Sequence, residues 1–379
     1  MKTTIKTLLS TEMQDKVCVV MGTRPGMIKQ SALVRALERN GVPFFIIHAG
    51  QHYSPELDRV FFGDLGIPEP LYRLETVKNF STHAGQTAEM LKGIEDCLFT
   101  ERPRAIVVGG DANCNLAGAL AARKLNLVVC HEEAGVRGCN WNVPEGHNRT
   151  MIDHISDYLF APNEAAAKNL EKESVQGKIR VTGSLIVDSV RENSLIACRK
   201  STILKTLSLH PREYILITIH HEETVDYIEV LSNVIEALKL IAADTGRKIF
   251  FPIHPRTGKR LREFGLWEEA ESIAGLHIID PQGYFDFMTL LSNACLVMTD
   301  SGGVIQESSI LHTPCVTISN YTEWLETLEC GANVLGGTTA DGIRLAAGKM
   351  LSSACNWKDP FGGGSASERI TSIIKKEIL

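Results

Sequence analysis

At 379 residues the chain exceeds what one hydrophobic core usually serves, so two domains are expected. Hydrophobic residues make up 44% and charged residues 22%, an ordinary globular balance, and a net charge of −6 gives no basic face for nucleic acid. No apolar run reaches the roughly 20 residues that cross a bilayer, and the opening MKTTIKTLLSTEMQDK lacks the continuous apolar stretch of a signal peptide, so a cytoplasmic protein is expected.

In chain order, KVCVVMG (16–22) reads as a strand, and the IKQSALVRALERNG that follows has the apolar spacing of a helix. FFIIHAG (44–50), AIVVGGD (105–111) and LVVCHEEAG (127–135) repeat the theme, each apolar run ending in small or polar residues. The pattern restarts after about residue 185, with strands expected at YILITIHH (214–221), KIFFPIHP (248–255), LHIID (276–280), CLVMTDSGG (295–303) and PCVTISN (314–320). Such alternation predicts parallel sheets covered on both faces. Two sets predict an α/β protein of two Rossmann-like domains, residues 1–185 and 186–365. The closing SERITSIIKKEIL is helical in period and follows the glycine-rich PFGGGSAS (360–367). It reads either as a frayed terminal helix or as a segment (366–379) returning to the first domain.

The chain has ten cysteines. Cys18, Cys130, Cys295 and Cys315 lie in or beside apolar strands, and no CxxC pair or zinc spacing occurs, so reduced, structural thiols are expected.

Ligands of open α/β sheets bind beyond the carboxyl ends of the strands. Arg24, Gln51, His52, Asp111, Glu133, His220, His254 and Ser301 all fall there, which points to a cleft between the domains. In GTRPGMIK (22–29), Gly22 at a strand-to-helix turn lets a phosphate approach the backbone, with Arg24 and Lys29 adding positive charge. The stretch is neither a dinucleotide fingerprint nor a P-loop, so no nicotinamide cofactor is expected; a solvated basic helix start is the plainer alternative. DSGGVIQES (300–308) follows the same logic, with Ser301, Gly302 and Gly303 opening a helix toward a phosphate and Glu307 placed to accept sugar hydroxyls. A simple helix cap would use the same residues. Asp111, Glu133 and Glu145, accompanied by Arg137 and Arg149, are candidate acids and bases, although any one alone is more often a cap or an ion pair. His220 and His221 close a strand and could reach phosphate or move a proton, and HPRT (254–257) adds a further polar cluster.

Taken in order, these motifs resemble the non-hydrolysing UDP-N-acetylglucosamine 2-epimerases. The series is GTRPxxIK (22–29), GQH (50–52), GD (110–111), HxEAGxR (131–137), PEGHNRTMIDHISD (144–157), TGS (182–184), TIHHEETVD (218–226), HPRT (254–257), TDSGGVIQESS (299–309) and TEWLE (322–326). The resemblance implies a glycosyltransferase-B arrangement of the two domains, an interdomain active-site cleft, a C-terminal helix on the first domain, a homodimer, and no metal or other cofactor. It implies UDP-GlcNAc as substrate and UDP-ManNAc as product, made by anti elimination and re-addition of UDP for cell-surface polysaccharide precursors. Asp111, Glu133, Glu145 and His220 are then the catalytic residues. UDP and sugar contacts fall to Arg24, Lys29, Gln51, His52, Arg149, His254, Ser301, Gly302, Gly303 and Glu307. The chain departs from the family pattern at Gly26 and Gly146, where Glu is usual, and in TEWLE, where TERPE is common. These departures leave open a modified UDP-sugar, such as a diacetamido-uronate or 6-deoxy sugar. A hydrolysing relative that releases ManNAc, a glycosyltransferase and a silent UDP-sugar binder are the other readings weighed.

Overall fold

The computed structural model describes residues 13–50, 61–80, 82–137 and 144–379, which form two compact units. One comprises residues up to Ser189 together with Gly362–Leu379, and the other Val190–Phe361. Each is built on a wholly parallel sheet, and no described helix is long and apolar enough to cross a membrane.

The first unit's sheet runs β3-β2-β1-β4-β5-β6-β7, from β1 (Gln14–Met21), β2 (Phe44–His48), β3 (Tyr72–Arg73), β4 (Pro103–Gly109), β5 (Val128–Glu132), β6 (Tyr158–Ala161) and β7 (Lys178–Val181). Val17 to Met21 in β1 are all at most 1% exposed, so the central strand is a continuous apolar run, as a sheet covered on both faces requires. Helix α1 (Arg24–Arg39) starts where the Thr23 hydroxyl accepts the Gly26 amide at 3.2 Å and Pro25 supplies a pre-set φ. It buries Met27, Leu33, Val34 and Leu37. Helices α2 (His83–Glu101), α3 (Asn113–Lys124), α4 (Pro144–Ile155) and α5 (Glu164–Lys172) complete the cover before α6 (Leu185–Lys200) leads out of the unit. The C-terminal helix α7 (Ala366–Ile373) docks here: the amides of Ala366 and Ser367 donate to Asp188 Oδ2 at 2.8 and 3.3 Å, and Ile370 and Ile374 are fully buried.

The second unit's sheet runs β10-β9-β8-β11-β12-β13, from β8 (Tyr214–Thr218), β9 (Lys248–Pro252), β10 (Leu276–Ile279), β11 (Leu296–Thr299), β12 (Cys315–Thr317) and β13 (Asn333–Leu335). Alternation along β8 divides its side chains between two cores. Ile215 and Ile217 pack with Val234, Leu238 and Met298 on one face, while Tyr214 and Leu216 pack with Leu290, Leu291 and Val297 on the other.

All nine predicted strands form, but each stops short of its polar tail. β4 ends at Gly109 and β5 at Glu132, because Gly110 (φ +76°), Glu133 (φ +65°) and Gly135 (φ +78°) turn into the left-handed region. The sequence does not mark β3, β6, β7 and β13, and β3, β7 and β13 carry no continuous run of buried residues that would stand out. The nine described cysteines are all free thiols, Cys18, Cys97, Cys114, Cys130 and Cys315 being buried.

Candidate active site

In each sheet the strand order reverses beside the first strand, between β1 and β4 in one unit and between β8 and β11 in the other. The carboxyl ends at such a switch point leave a crevice in which ligands bind. The candidate residues of the first unit gather there. Lys29, on α1, sends Nζ to Glu133 at 2.8 Å from Oε2 and 3.1 Å from Oε1. Arg149, on α4, pairs with the Asp111 carboxylate. Asn148 fixes the neighbouring backbone, donating to the Asp111 carbonyl at 2.8 Å and to Asn113 Oδ1 at 2.9 Å. A Cβ on Gly110 would stand 3.0 Å from Glu133 Oε2, so the Glu133 carboxyl lies against the turn that presents Asp111.

The two carboxyls are pushed in opposite directions. Burial raises Asp111, with Glu133 and Glu145 adding to the effect and Arg149 and Lys29 opposing it. Burial would also raise Glu133, but Lys29 and Arg149 outweigh it and hold the carboxyl below its ordinary value. A third carboxyl, Glu132, is 2% exposed; burial and the charge of Glu133 push it up to about 7. Glu145 opens α4 on an exposed position. Arg24, at the start of α1, is exposed and lies 6.0 Å from the Phe61 ring centroid.

In the second unit the organising group is Asp300, 7% exposed at the end of β11. Its carboxylate accepts the backbone amides of His220 at 3.0 Å and His221 at 2.9 Å, and Oδ1 lies 3.8 Å from His220 Nδ1. The His220 ring stands 5.0 Å from His254, centroid to centroid. Burial lowers His220 despite Asp300, and the neighbouring His221, His254 and Arg256 add to the lowering. Helix α8 (Gly302–Ile310) begins at Ser301, as the DSGG reading anticipates, and the Glu323 carboxylate and Trp324 indole lie over its first residue. A Cβ on Gly302 would fall 2.2 Å from Glu323 Oε1 and 3.2 Å from Trp324 Nε1.

Glu307 is 8% exposed, and its Oε1 accepts from the Tyr284 hydroxyl at 3.4 Å. Burial pushes it up to about 7. The folded protein therefore binds this proton more tightly than the unfolded chain does. The resulting stability is fully present below the ordinary carboxylate range and is lost as pH rises through about 7. Glu307→Gln is expected to flatten the fall in melting temperature between about pH 5 and pH 8. A variant whose pH profile superimposes on the parent's would contradict this.

Lys29 and Arg149, expected from the sequence to serve the ligand, pair here with Glu133 and Asp111. Gln51 and His52 lie outside the described residues. Sequence reasoning missed Asp300, which directly precedes Ser301 in the quoted motif. It also missed Asp153, although Glu145, Arg149 and Asp153 recur every four residues and so share one helix face.

Two doubly wound parallel sheets, each with polar residues gathered at its switch point, define an α/β protein of two Rossmann-like units. The model of the UDP-N-acetylglucosamine 2-epimerase family matches residues 35–375, and the chain belongs to that family of isomerases. A Methanocaldococcus jannaschii UDP-N-acetylglucosamine 2-epimerase is 44% identical over 362 residues, 95% of this chain and 98% of the relative. A Pseudomonas aeruginosa UDP-2,3-diacetamido-2,3-dideoxy-D-glucuronate 2-epimerase is 36% identical over 367 residues, 95% of this chain and 99% of the relative. The crystal structure of the M. jannaschii enzyme in complex with UDP-GlcNAc and UDP matches with a TM-score of 0.82 over 95% of this chain and 99% of that one.

Proposed function

We propose that this chain interconverts UDP-GlcNAc and UDP-ManNAc by eliminating UDP and adding it back. In the forward half, a base takes the C2 proton, the C1–oxygen bond breaks with its electron pair leaving on UDP, and a C1=C2 double bond forms in a bound 2-acetamidoglucal. In the return half, a UDP oxygen attacks C1 and a proton reaches the opposite face of C2. The sequence is redox-neutral and calls for no cofactor.

The observation that carries the proposal is the pair Asp111 and Glu133, adjacent carboxyls of one switch point whose surroundings push their proton affinities apart. Such divergence suits one group to give a proton and the other to take it. Glu133, held ionised by Lys29, fits the base, and Asp111 fits the acid. Glu145 stands on the same side of α4 as Arg149 and enters the electrostatics of Asp111, which supports a share in the same transfer. We assign the diphosphate to Arg24, Arg149, Ser301, the amides of Gly302 and Gly303, and to His220 with His254. The diphosphate charge would draw a proton onto the lowered His220, which could then stabilise the leaving group. Glu307 would accept ribose hydroxyls, with Lys29, Gln51 and His52 completing the sugar side. The enzyme would act as a cytoplasmic homodimer that supplies precursors for surface polysaccharide.

The greater identity to a relative named for UDP-GlcNAc, 44% against 36%, favours that substrate over a diacetamido-uronate. Purified protein given UDP-GlcNAc without added metal or nicotinamide is expected to yield a mixture of the two UDP-sugars on anion-exchange chromatography. Free ManNAc with stoichiometric UDP would indicate the hydrolysing reaction instead.

A further inference from the structure

We infer that His131, a residue without a role in the proposed chemistry, is the positioning residue that sets the Asp111 and Glu133 carboxyls; the inference rests on the reaction proposed above. His131 lies in β5, with no part of its side chain exposed. Its Nδ1 is 2.7 Å from Asp153 Oδ1 and its Nε2 is 3.0 Å from the Gly110 carbonyl oxygen. The Asp153 carboxylate and the Gly110 carbonyl are both acceptors, each within hydrogen-bond distance of one ring nitrogen. One imidazole therefore ties the turn that immediately precedes Asp111 to the helix that carries Arg149.

The same carboxylate fixes the other side of Glu133. Asp153 Oδ2 accepts the Gly135 amide at 3.1 Å and Arg137 Nη1 at 2.7 Å. Glu133 thus sits between two anchors on Asp153, His131 before it and Gly135 after it. It needs them, because its backbone is left-handed (φ +65°), a conformation strained for a residue with a Cβ. Burial would raise Asp153, but His131 and Arg137 hold it below the ordinary carboxylate range, so it remains an acceptor for all three donors. Arg137 is braced in turn by Glu173, at 2.6 Å. Along α4, Arg149 and Asp153 are four residues apart and face the same way. Seating Asp153 on His131 consequently fixes the turn of helix that brings Arg149 to Asp111.

The test compares His131→Phe, which keeps a planar ring without donors, Asp153→Asn and the double variant with the parent. Displacing aligned reacting groups by about 1 Å costs about 10²-fold in rate. Both single variants are expected to lose about that factor in kcat for epimerisation, while KM for UDP-GlcNAc changes far less than kcat. Because the pair acts as one clamp, the double variant should be no slower than the slower single variant. Folded variants with parental kcat, losses that appear in KM rather than kcat, or losses that multiply in the double variant would each overturn the inference. Should His131→Phe fail to fold, His131→Gln and Asp153→Asn carry the same comparison. If the parent itself does not epimerise, the proposed function fails; if the parent is active and the variants are too, only the clamp fails.

Discussion

Asp111→Asn is expected to lower kcat for epimerisation by about 10²–10⁴-fold, the range that a positioned proton donor contributes. The substitution keeps the shape of the side chain and an oxygen for Arg149, but it removes the group that can hold and release a proton. That capacity comes from burial, reinforced by Glu133 and Glu145, which raises the carboxyl above its ordinary value. The fold should tolerate the change, since the turn is held by its backbone. Asn148 donates to the Asp111 carbonyl, and the Gly110 amide donates to the Glu132 carbonyl at 3.0 Å. The melting temperature should therefore stay close to the parent's, and a folded variant with parental turnover would remove Asp111 from the mechanism.

Gly135→Ala is expected to destabilise the first unit by about 2–5 kcal/mol, the sum of a left-handed backbone penalty and local overpacking. At φ +78° an L side chain is strained whatever the space, and here there is none. The added Cβ would fall 2.2 Å from the Ala166 carbonyl oxygen and 2.8 Å from its carbon, both backbone atoms of α5, with Leu170 Cγ at 2.7 Å. A helix backbone cannot give way as a flexible side chain does. Urea unfolding of the two proteins measures the difference, and a loss under about 1 kcal/mol would contradict the packing described. Activity should fall with stability, because the Gly135 amide is one of the donors that Asp153 uses to hold the Glu133 loop.

Much of this was legible in the sequence, for identifiable reasons. Runs such as VCVVM and YILIT are buried throughout or nearly so in parallel sheets, so their continuous apolar character marks them. The switch-point residues Asp111, His220 and Ser301 stood out because polar groups directly after such runs are confined to strand ends. Pairings were not legible. That Lys29 meets Glu133 and Arg149 meets Asp111 depends on how helices α1 and α4 seat on the sheet, and sequence spacing does not encode that over separations of 104 and 38 residues. Asp300 and His131 were overlooked for a related reason: each serves through backbone groups brought from another strand, the His220 and His221 amides in one case and the Gly110 carbonyl in the other. The strand-like appearance of HEEAG concealed a left-handed residue at Glu133, which a motif read as letters does not reveal.

The most direct test of the account is a proton NMR time course with UDP-GlcNAc in deuterated buffer, without metal or nicotinamide. The account predicts growth of UDP-ManNAc resonances together with deuterium at C2 of both UDP-sugars, since the C2 proton passes to a carboxyl that exchanges with solvent. UDP-ManNAc that retains its original C2 proton throughout, or an unchanged UDP-GlcNAc spectrum from folded protein, would contradict it.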